Sequence, residues 1–70
     1  MMVWHVHYNS GMASGVGTAT TLPHAVEEAC ALLDQGVDVI KIANSRGHMG
    51  MNGTDIRLVY AERKAARALH

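Results

Sequence analysis

Seventy residues make one small domain, 1–70, and a core of this size rarely supplies more than roughly 3–5 kcal/mol of stability without further support. A composition of 49% hydrophobic and 17% charged residues excludes an intrinsically disordered chain, and a single cysteine, Cys30, excludes an internal disulfide. A second copy of the chain could supply the missing stability, so we expect a homodimer.

The formal net charge is zero, which excludes a strongly basic protein, but the charges are unevenly placed. Residues 1–40 contain four acidic residues and no lysine or arginine, whereas residues 41–70 contain six basic residues and two acidic ones. A chain with one acidic and one basic half can steer a charged partner or dock head-to-tail. Alternatively, the two halves pair their charges at the surface, for little gain in stability.

The N-terminus lacks the charged start, apolar run and small-residue cleavage site of a signal peptide. The apolar stretches are far too short to cross a membrane, and a lone thiol suits a reducing compartment. We therefore expect a cytoplasmic protein that does not contact a membrane.

The first predicted element is a strand, because residues 2–8 alternate strictly between two faces. One face carries Met2, Trp4, Val6 and Tyr8, and the other carries Val3, His5, His7 and Asn9. A period of two over this length is typical of a strand with one buried side. The turn-forming run NSGM ends it, and the Gly-, Thr- and Ala-rich run at 13–21 predicts a thin second strand paired with the first.

The clearest helix is predicted from Thr21, which can cap its N-terminus, to Gly36, which ends it. Pro23 lies in the first turn, where its missing N–H is harmless. An apolar stripe runs along one side of this helix and polar residues occupy the other, so the stripe needs a sheet or another helix to cover it. The stripe consists of Leu22, Ala25, Val26, Ala29, Leu32 and Leu33.

The β-branched run VDVIKIAN comes next and predicts a strand inside the sheet, followed by a long Gly- and Asn-rich connection at 44–53. The segment 54–69 consists mostly of strong helix formers, with Thr54 or Asn52 as its cap. Its first part, 55–60, also alternates well enough for a strand. One face of the predicted helix carries Leu58, Ala61, Ala65 and Leu69.

These elements predict a small α/β domain of the α+β type, in which a short, mainly antiparallel sheet packs on one or two helices in two layers. The expected order is β-β-α-β-α; in the alternative, β-β-α-β-β, the last segment begins as a strand. No internal repeat is visible in the sequence. The predicted core packs sheet residues against Val26, Ala29 and Leu33 of the helix. Those sheet residues are Trp4, Val6, Ile40 and Ile42.

His5 and His7 are the candidate metal ligands. At positions i and i+2 of a strand their side chains project from the same face, close enough to hold one ion. Zinc sites use three or four converging donors, so a third would have to come from His24, Cys30 or His48. The competing interpretation is that both histidines lie on the solvent side of the strand, and apart from zinc no cofactor is expected.

The last predicted helix carries a cluster of basic residues around one tyrosine. This cluster consists of Arg57, Tyr60, Arg63, Lys64 and Arg67. Cations beside an aromatic ring can bind nucleic acid through phosphate contacts and stacking, or contact a protein partner. Four cations are a small footprint in a neutral chain, and a solvated helix face is the competing interpretation.

No catalytic residues are predicted. The run GMASGVGT follows a strand, as phosphate-binding loops do, but its glycines do not fit the dinucleotide-binding pattern and no lysine follows them. The serines lack the context of a nucleophile elbow, and the adjacent Glu27 and Glu28 point apart on a helix. The sequence thus predicts a protein that is not an enzyme.

The run VWHVHYNSG, followed by TTLPHAVEEACALL and VDVIKIANSRG, resembles short uncharacterised bacterial and phage-borne β-β-α-β domains over residues 3–47. Those domains have a W-x-V first strand, a hairpin, an alanine-rich helix opened by threonine, and a third strand that ends in a glycine turn. The resemblance implies a fold and no activity.

Small size and the lack of catalytic motifs favour a non-enzymatic interaction module, a stoichiometric binder and regulator of a larger protein or nucleoprotein complex. Phage-type inhibitors, anti-CRISPR proteins among them, are one class of small chain that acts in this way. The alternatives are nucleic-acid binding by the basic C-terminal helix and transition-metal binding by the histidine pair.

Overall fold

A computed structural model describes residues 2–68 and arranges four strands and two helices in two layers. The elements are β1 (Trp4–Ser10), β2 (Ala13–Ala19), α1 (Leu22–Asp34), β3 (Asp38–Asn44), β4 (Met49–Asn52) and α2 (Gly53–Ala68). The strands form one antiparallel sheet in the order β2-β1-β3-β4. The predicted α+β fold class is therefore confirmed.

The predicted hairpin of β1 and β2 is confirmed, with a register that runs unbroken from Trp4 opposite Ala19 to Ser10 opposite Ala13. Gly11, the first residue of the two-residue turn, has a φ of 63°. A glycine with positive φ at that position is typical of a type II′ turn, whose twist matches that of the strands it joins. Turn chemistry therefore sets the register of the hairpin.

α1 begins and ends where the sequence predicts. Thr21 caps its N-terminus, because the Thr21 hydroxyl accepts a hydrogen bond from the N–H of His24 at 3.2 Å. At the other end, the N–H of Gly36 donates to the carbonyl of Leu33, and the following residue donates to the carbonyl of Leu32. These two bonds form a Schellman motif, which satisfies the last free carbonyls of the helix.

Both helices pack on the same face of the sheet and share one hydrophobic core with it. The largest fully buried side chains come from three elements: Val6 of β1, Val39 and Ile42 of β3, and Ile56 of α2. α1 adds four buried residues, Ala25, Val26, Ala29 and Cys30. Trp4, Tyr8, Leu22 and Leu33 are partly buried around this centre.

The predicted burial of Ile40 is wrong. Its side chain is 43% exposed, and Val39 is fully buried in its place. The cause is a register shift in the β1–β3 ladder, where His7 lies opposite Lys41 but Tyr8 lies opposite Val39. Ile40 is therefore the extra residue of a β-bulge, and beyond the bulge the alternation of β3 changes face.

β4 lies within the segment that the sequence predicts as a connection, so the expected order β-β-α-β-α becomes β-β-α-β-β-α. Its four residues, MGMN, contain no β-branched side chain, and the strand forms by pairing with β3. The turn between the two strands is held by the buried Asn44, whose side-chain oxygen accepts the N–H groups of Arg46 and His48, each at 2.9 Å. The alternative order, with a strand before the end of the chain, is roughly consistent, although that strand lies at 49–52.

The helix predicted at 54–69 is confirmed as α2, including residues 55–60. Asn52 caps it, because the Asn52 side-chain oxygen accepts the N–H of Asp55 at 2.8 Å. The face expected to pack is different: Ile56 is buried, whereas Leu58 is 59% exposed. Leu69, the last member of the predicted face, lies outside the described residues.

The two halves of the chain repeat the same architecture, strand-strand-helix, although their sequences show no repeat. The first strands of the two halves, β1 and β3, pair antiparallel in the middle of the sheet, and both helices lie on one side of it. In topology, the two strand-strand-helix halves are therefore related as if by a two-fold axis between β1 and β3. This arrangement also leaves the opposite side of the sheet without a layer formed by residues 2–68.

Gly50→Ala is expected to destabilise the fold by about 1–3 kcal/mol. The added methyl group would lie 2.7 Å from the Trp4 ring and 3.0 Å from a Leu22 methyl group, both part of the core. Gly17→Ala is the matched control, because there the methyl would meet the carboxylate of Glu28, the far end of a flexible side chain. Urea unfolding measures both variants, and equal losses of stability would contradict this account of Gly50.

Candidate functional site

The side of the sheet that faces away from the helices is the candidate site, and we call it the open face. Within residues 2–68 no element covers it. Cross-strand partners lie on the same side of a sheet, so the face can be read from the register. Its residues form three rows, Thr18–His5–Ala43–Met49, Val16–His7–Lys41–Asn52 and Ser14–Asn9–Asp38.

The open face exposes more large apolar side chains than a solvent-facing sheet surface needs. Val16 is 52% and Met49 59% exposed, and these two residues lie on the two outer strands, β2 and β4. An antiparallel sheet with one face in water usually places polar residues there. Ala43 lies between His5 and Met49 in its row and is only 9% exposed, so it forms the floor of this surface.

The open face carries charges of both signs. Lys41 lies in the middle of the sheet, between His7 and Asn52 in its row, whereas Asp38 lies opposite Asn9 at the start of β3 and pairs with Arg57. A protein surface of complementary character would be apolar and would carry a carboxylate or another acceptor opposite Lys41.

His5 and His7 lie side by side on this face, as predicted, with ring centroids 6.4 Å apart and ring planes at 54°. Two imidazoles bound to one zinc ion would have centroids roughly 5–6 Å apart, given Zn–N bonds of about 2 Å. Among the described residues, however, no three His, Cys, Asp or Glu side chains are grouped to hold a metal. Cys30 is buried in the core on the opposite side of the sheet, so it cannot join the pair.

The predicted basic cluster lies on the exposed side of α2, but its members contact acidic residues and one another. Arg57 forms an ion pair with Asp38 at 3.0 Å, and Arg67 approaches Asp34 to 3.8 Å. The Lys64 ammonium lies 5.4 Å from the centre of the Tyr60 ring. The acidic and basic halves of the chain therefore meet at the surface, where such exposed pairs add little stability.

Asp34, at the end of α1, links the two helices through both of its oxygens. The Tyr60 hydroxyl donates a hydrogen bond to one oxygen at 2.6 Å, and the other faces Arg67. The hydrogen bond to the Asp34 carboxylate raises the pKa of Tyr60 above its ordinary value of 10.0; partial burial and the negative charge of Asp34 act in the same direction, and Lys64 opposes them. This contact orients α2 on α1.

A groove of about 420 Å³ runs between the two helices beside this contact. Its walls are mostly apolar and its edges are charged. The residues that line it are Glu27, Cys30, Ala31, Asp34, Arg63, Ala66 and Arg67. The ion pair of Asp34 with Arg67 lies at its rim, so the groove is part of the helix–helix contact.

Apart from His5 and His7, the residues of the open face are absent from the sequence-based candidates; Val16, Thr18, Lys41, Ala43 and Met49 are among those missed. The hairpin signal could have found the first two, because pairing β2 with β1 places Val16 and Thr18 beside the histidines. Met49 depends on the unpredicted strand β4 and has no local signal in the sequence.

Comparison with protein-family models, with curated proteins and with solved structures gave no match. Neither α1 nor α2 combines the length and the apolar character that crossing a membrane requires.

Adding a metal chelator is expected to leave the melting temperature unchanged. Two imidazoles are fewer than the three or four donors of a stable zinc site, so one copy of the chain would hold the ion weakly. A scanning fluorimetry experiment with and without chelator measures this. A fall in melting temperature in the natural protein, absent in a His5→Ala, His7→Ala variant, would establish the metal hypothesis instead.

Asp34→Asn is expected to lower the pKa of Tyr60. The folded state holds the phenol proton more tightly than the unfolded state, so its contribution to stability is present below pH 10 and lost as the pH rises through the raised pKa. Removing the negative acceptor removes the main cause of the shift. Ultraviolet titration of phenolate absorbance measures the pKa, with Tyr60→Phe identifying the signal; an unchanged pKa in Asp34→Asn would refute the assignment.

Proposed function

We propose that this protein is a non-enzymatic interaction module that binds a larger protein, alone or within a nucleoprotein complex, through the open face. The observation that carries the proposal is the exposure of Val16 and Met49 on one uncovered side of the sheet. Burying such a surface against a partner is worth about 25 cal/mol for each Å² of apolar area removed from water.

The structure offers this surface in a form suited to binding. It lies on paired strands, so its side chains are held by a rigid ladder and lose little further freedom on association. Its exposed apolar groups, Val16 and Met49, lie on the outer strands and flank His5, His7 and Lys41 of the inner strands, which can donate hydrogen bonds to a partner.

The partner surface that fits is apolar and carries a carboxylate or another hydrogen-bond acceptor opposite Lys41, because the acid of the rows, Asp38, already pairs with Arg57. A stoichiometric regulator needs only such a docking surface. Inhibitors of the phage type, anti-CRISPR proteins among them, are the class in which we place this activity.

The basic cluster on α2 supplies the alternative partner, nucleic acid. Arg63 and Lys64 lie on the exposed side of the helix, beside Tyr60. Asp34 and Asp38 partly neutralise Arg67 and Arg57, which weakens the phosphate-binding character of the cluster. The open face is therefore the better supported site.

Met49→Asp is expected to abolish binding of the partner, because it replaces the most exposed apolar side chain of the open face with a charged carboxylate that an apolar partner surface would have to bury. Leu58→Asp is the matched control: Leu58 is exposed to the same extent, 59%, but lies on α2. The measurement is affinity capture from the cells that encode the protein, with mass spectrometry and then titration of the isolated partner. Loss of binding in Leu58→Asp alone would locate the site on α2 instead.

Nucleic-acid binding is distinguished in the same preparation. It would appear as retention of DNA or RNA that decreases with salt and is weakened by Arg63→Ala with Arg67→Ala. Retention of that kind, unaffected by Met49→Asp, would overturn the proposed function.

A further inference from the structure

The two outer edges of the sheet differ, and the difference points to a second interaction surface. β2, at one edge, pairs with β1 over seven consecutive residues without a register shift. β4, at the other edge, has four residues, a register shift and a helix directly after it. Proteins usually protect edge strands by shortness, bulges, proline or lysine. The sequence of β2, ASGVGTA, has none of these.

The hairpin geometry fixes which backbone groups β2 presents at this edge. A two-residue turn makes Ser10 and Ala13 a hydrogen-bonded pair, and such pairs alternate along an antiparallel ladder. The N–H and C=O groups of the residues in between point away from β1. Ser14, Val16 and Thr18 therefore present their backbone groups at the outer edge, and all three are exposed.

The sequence of β2 reads nearly the same in both directions around its centre. Ala13 and Ala19 are equivalent, as are Gly15 and Gly17, and Ser14 and Thr18 both carry a hydroxyl group. A strand with this symmetry is complementary to an antiparallel copy of itself, with Val16 on the two-fold axis. Isologous contacts of this kind build the commonest oligomers, two-fold dimers.

We propose that two copies of this protein dimerise by antiparallel pairing of β2 with β2 around Val16, which joins the two sheets into one of eight strands. Val16 of each copy exchanges both backbone hydrogen bonds with its equivalent. Ser14 lies opposite Thr18 of the second copy, where their hydroxyl groups can hydrogen-bond across the strands.

The side of β2 that faces the helices accommodates this contact because it carries glycine. A methyl group at Gly15 would lie 2.5 Å from the Tyr8 ring, and one at Gly17 would lie 2.6 Å from a Glu28 oxygen. The Tyr8 and Glu28 side chains lie over β2 on this side, and β2 has no side chain of its own at Gly15 and Gly17 that could obstruct the second copy. Gly17 and its equivalent become diagonal neighbours, roughly 7–8 Å apart, which brings the two Glu28 side chains near each other.

The dimer is independent of the proposed function, because it is measured on the purified protein without a partner. It would place two open faces side by side and so double the docking surface. It would also give a 70-residue chain the additional support that its small core favours.

Sedimentation equilibrium over a wide concentration series tests the dimer. The natural protein is expected to dimerise. Val16→Lys is expected to weaken dimerisation by roughly tenfold or more, because two like charges would face each other on the two-fold axis. Leu58→Lys, the same change at an exposed site on α2, should leave it unchanged. Glu28→Gln should strengthen it by removing the repulsion between two carboxylates.

A cysteine cross-link tests the register without depending on a weakened variant. The hydrogen-bonded pair at the axis has Cα atoms about 5.5 Å apart, within the range that a disulfide spans. Val16→Cys treated with oxidised glutathione should therefore give a disulfide-linked dimer, and Leu58→Cys should not. A natural protein that stays monomeric at every concentration, or pairs through β2 only with a strand of another protein, would overturn the proposal, as would a dimer indifferent to Val16→Lys.

Discussion

The pairing of β1 with β3 is the constraint on which the rest of the structure depends. It joins the two strand-strand-helix halves of the chain and places Val6 opposite Ile42, both fully buried, at the centre of the core. Because this ladder lies in the middle of the sheet, β2 and β4 become its edges. Because both halves place their helices on the same side, no part of residues 2–68 forms a second layer on the other side of the sheet.

The core is small and dense, and it is built from small side chains where the layers are closest. Ala25 and Ala29 of α1 are fully buried against the sheet, and glycines at positions 15 and 50 let the rings of Tyr8 and Trp4 lie close over the backbone of β2 and β4. Close approach of helix and sheet compensates in part for the scarcity of large apolar residues. It leaves several of the larger apolar side chains, Met49 and Ile40 among them, for the surface.

The distribution of charge has a structural role before any functional one. The acidic first half and the basic second half of the sequence meet where α1 and α2 are adjacent, at Asp34 and its contacts with Tyr60 and Arg67. These contacts orient the second helix, whose apolar anchor in the core is the single buried residue Ile56. These contacts partly neutralise the basic cluster. The open face, by contrast, has exposed apolar side chains that no element of the described residues covers.

The sequence by itself determined the strand alternation at 2–8, both ends of α1 and the α+β class, because each is set by local rules: period two, a threonine cap, a glycine with positive φ. It also placed His5 and His7 together on one face. The tertiary structure alone decided the burial of Val39 in place of Ile40, the existence of β4 and the pairing of the two charged halves. Those features depend on ladder register and on contacts between residues distant in the chain, such as the hydrogen bond between Tyr60 and Asp34, and no local pattern encodes them.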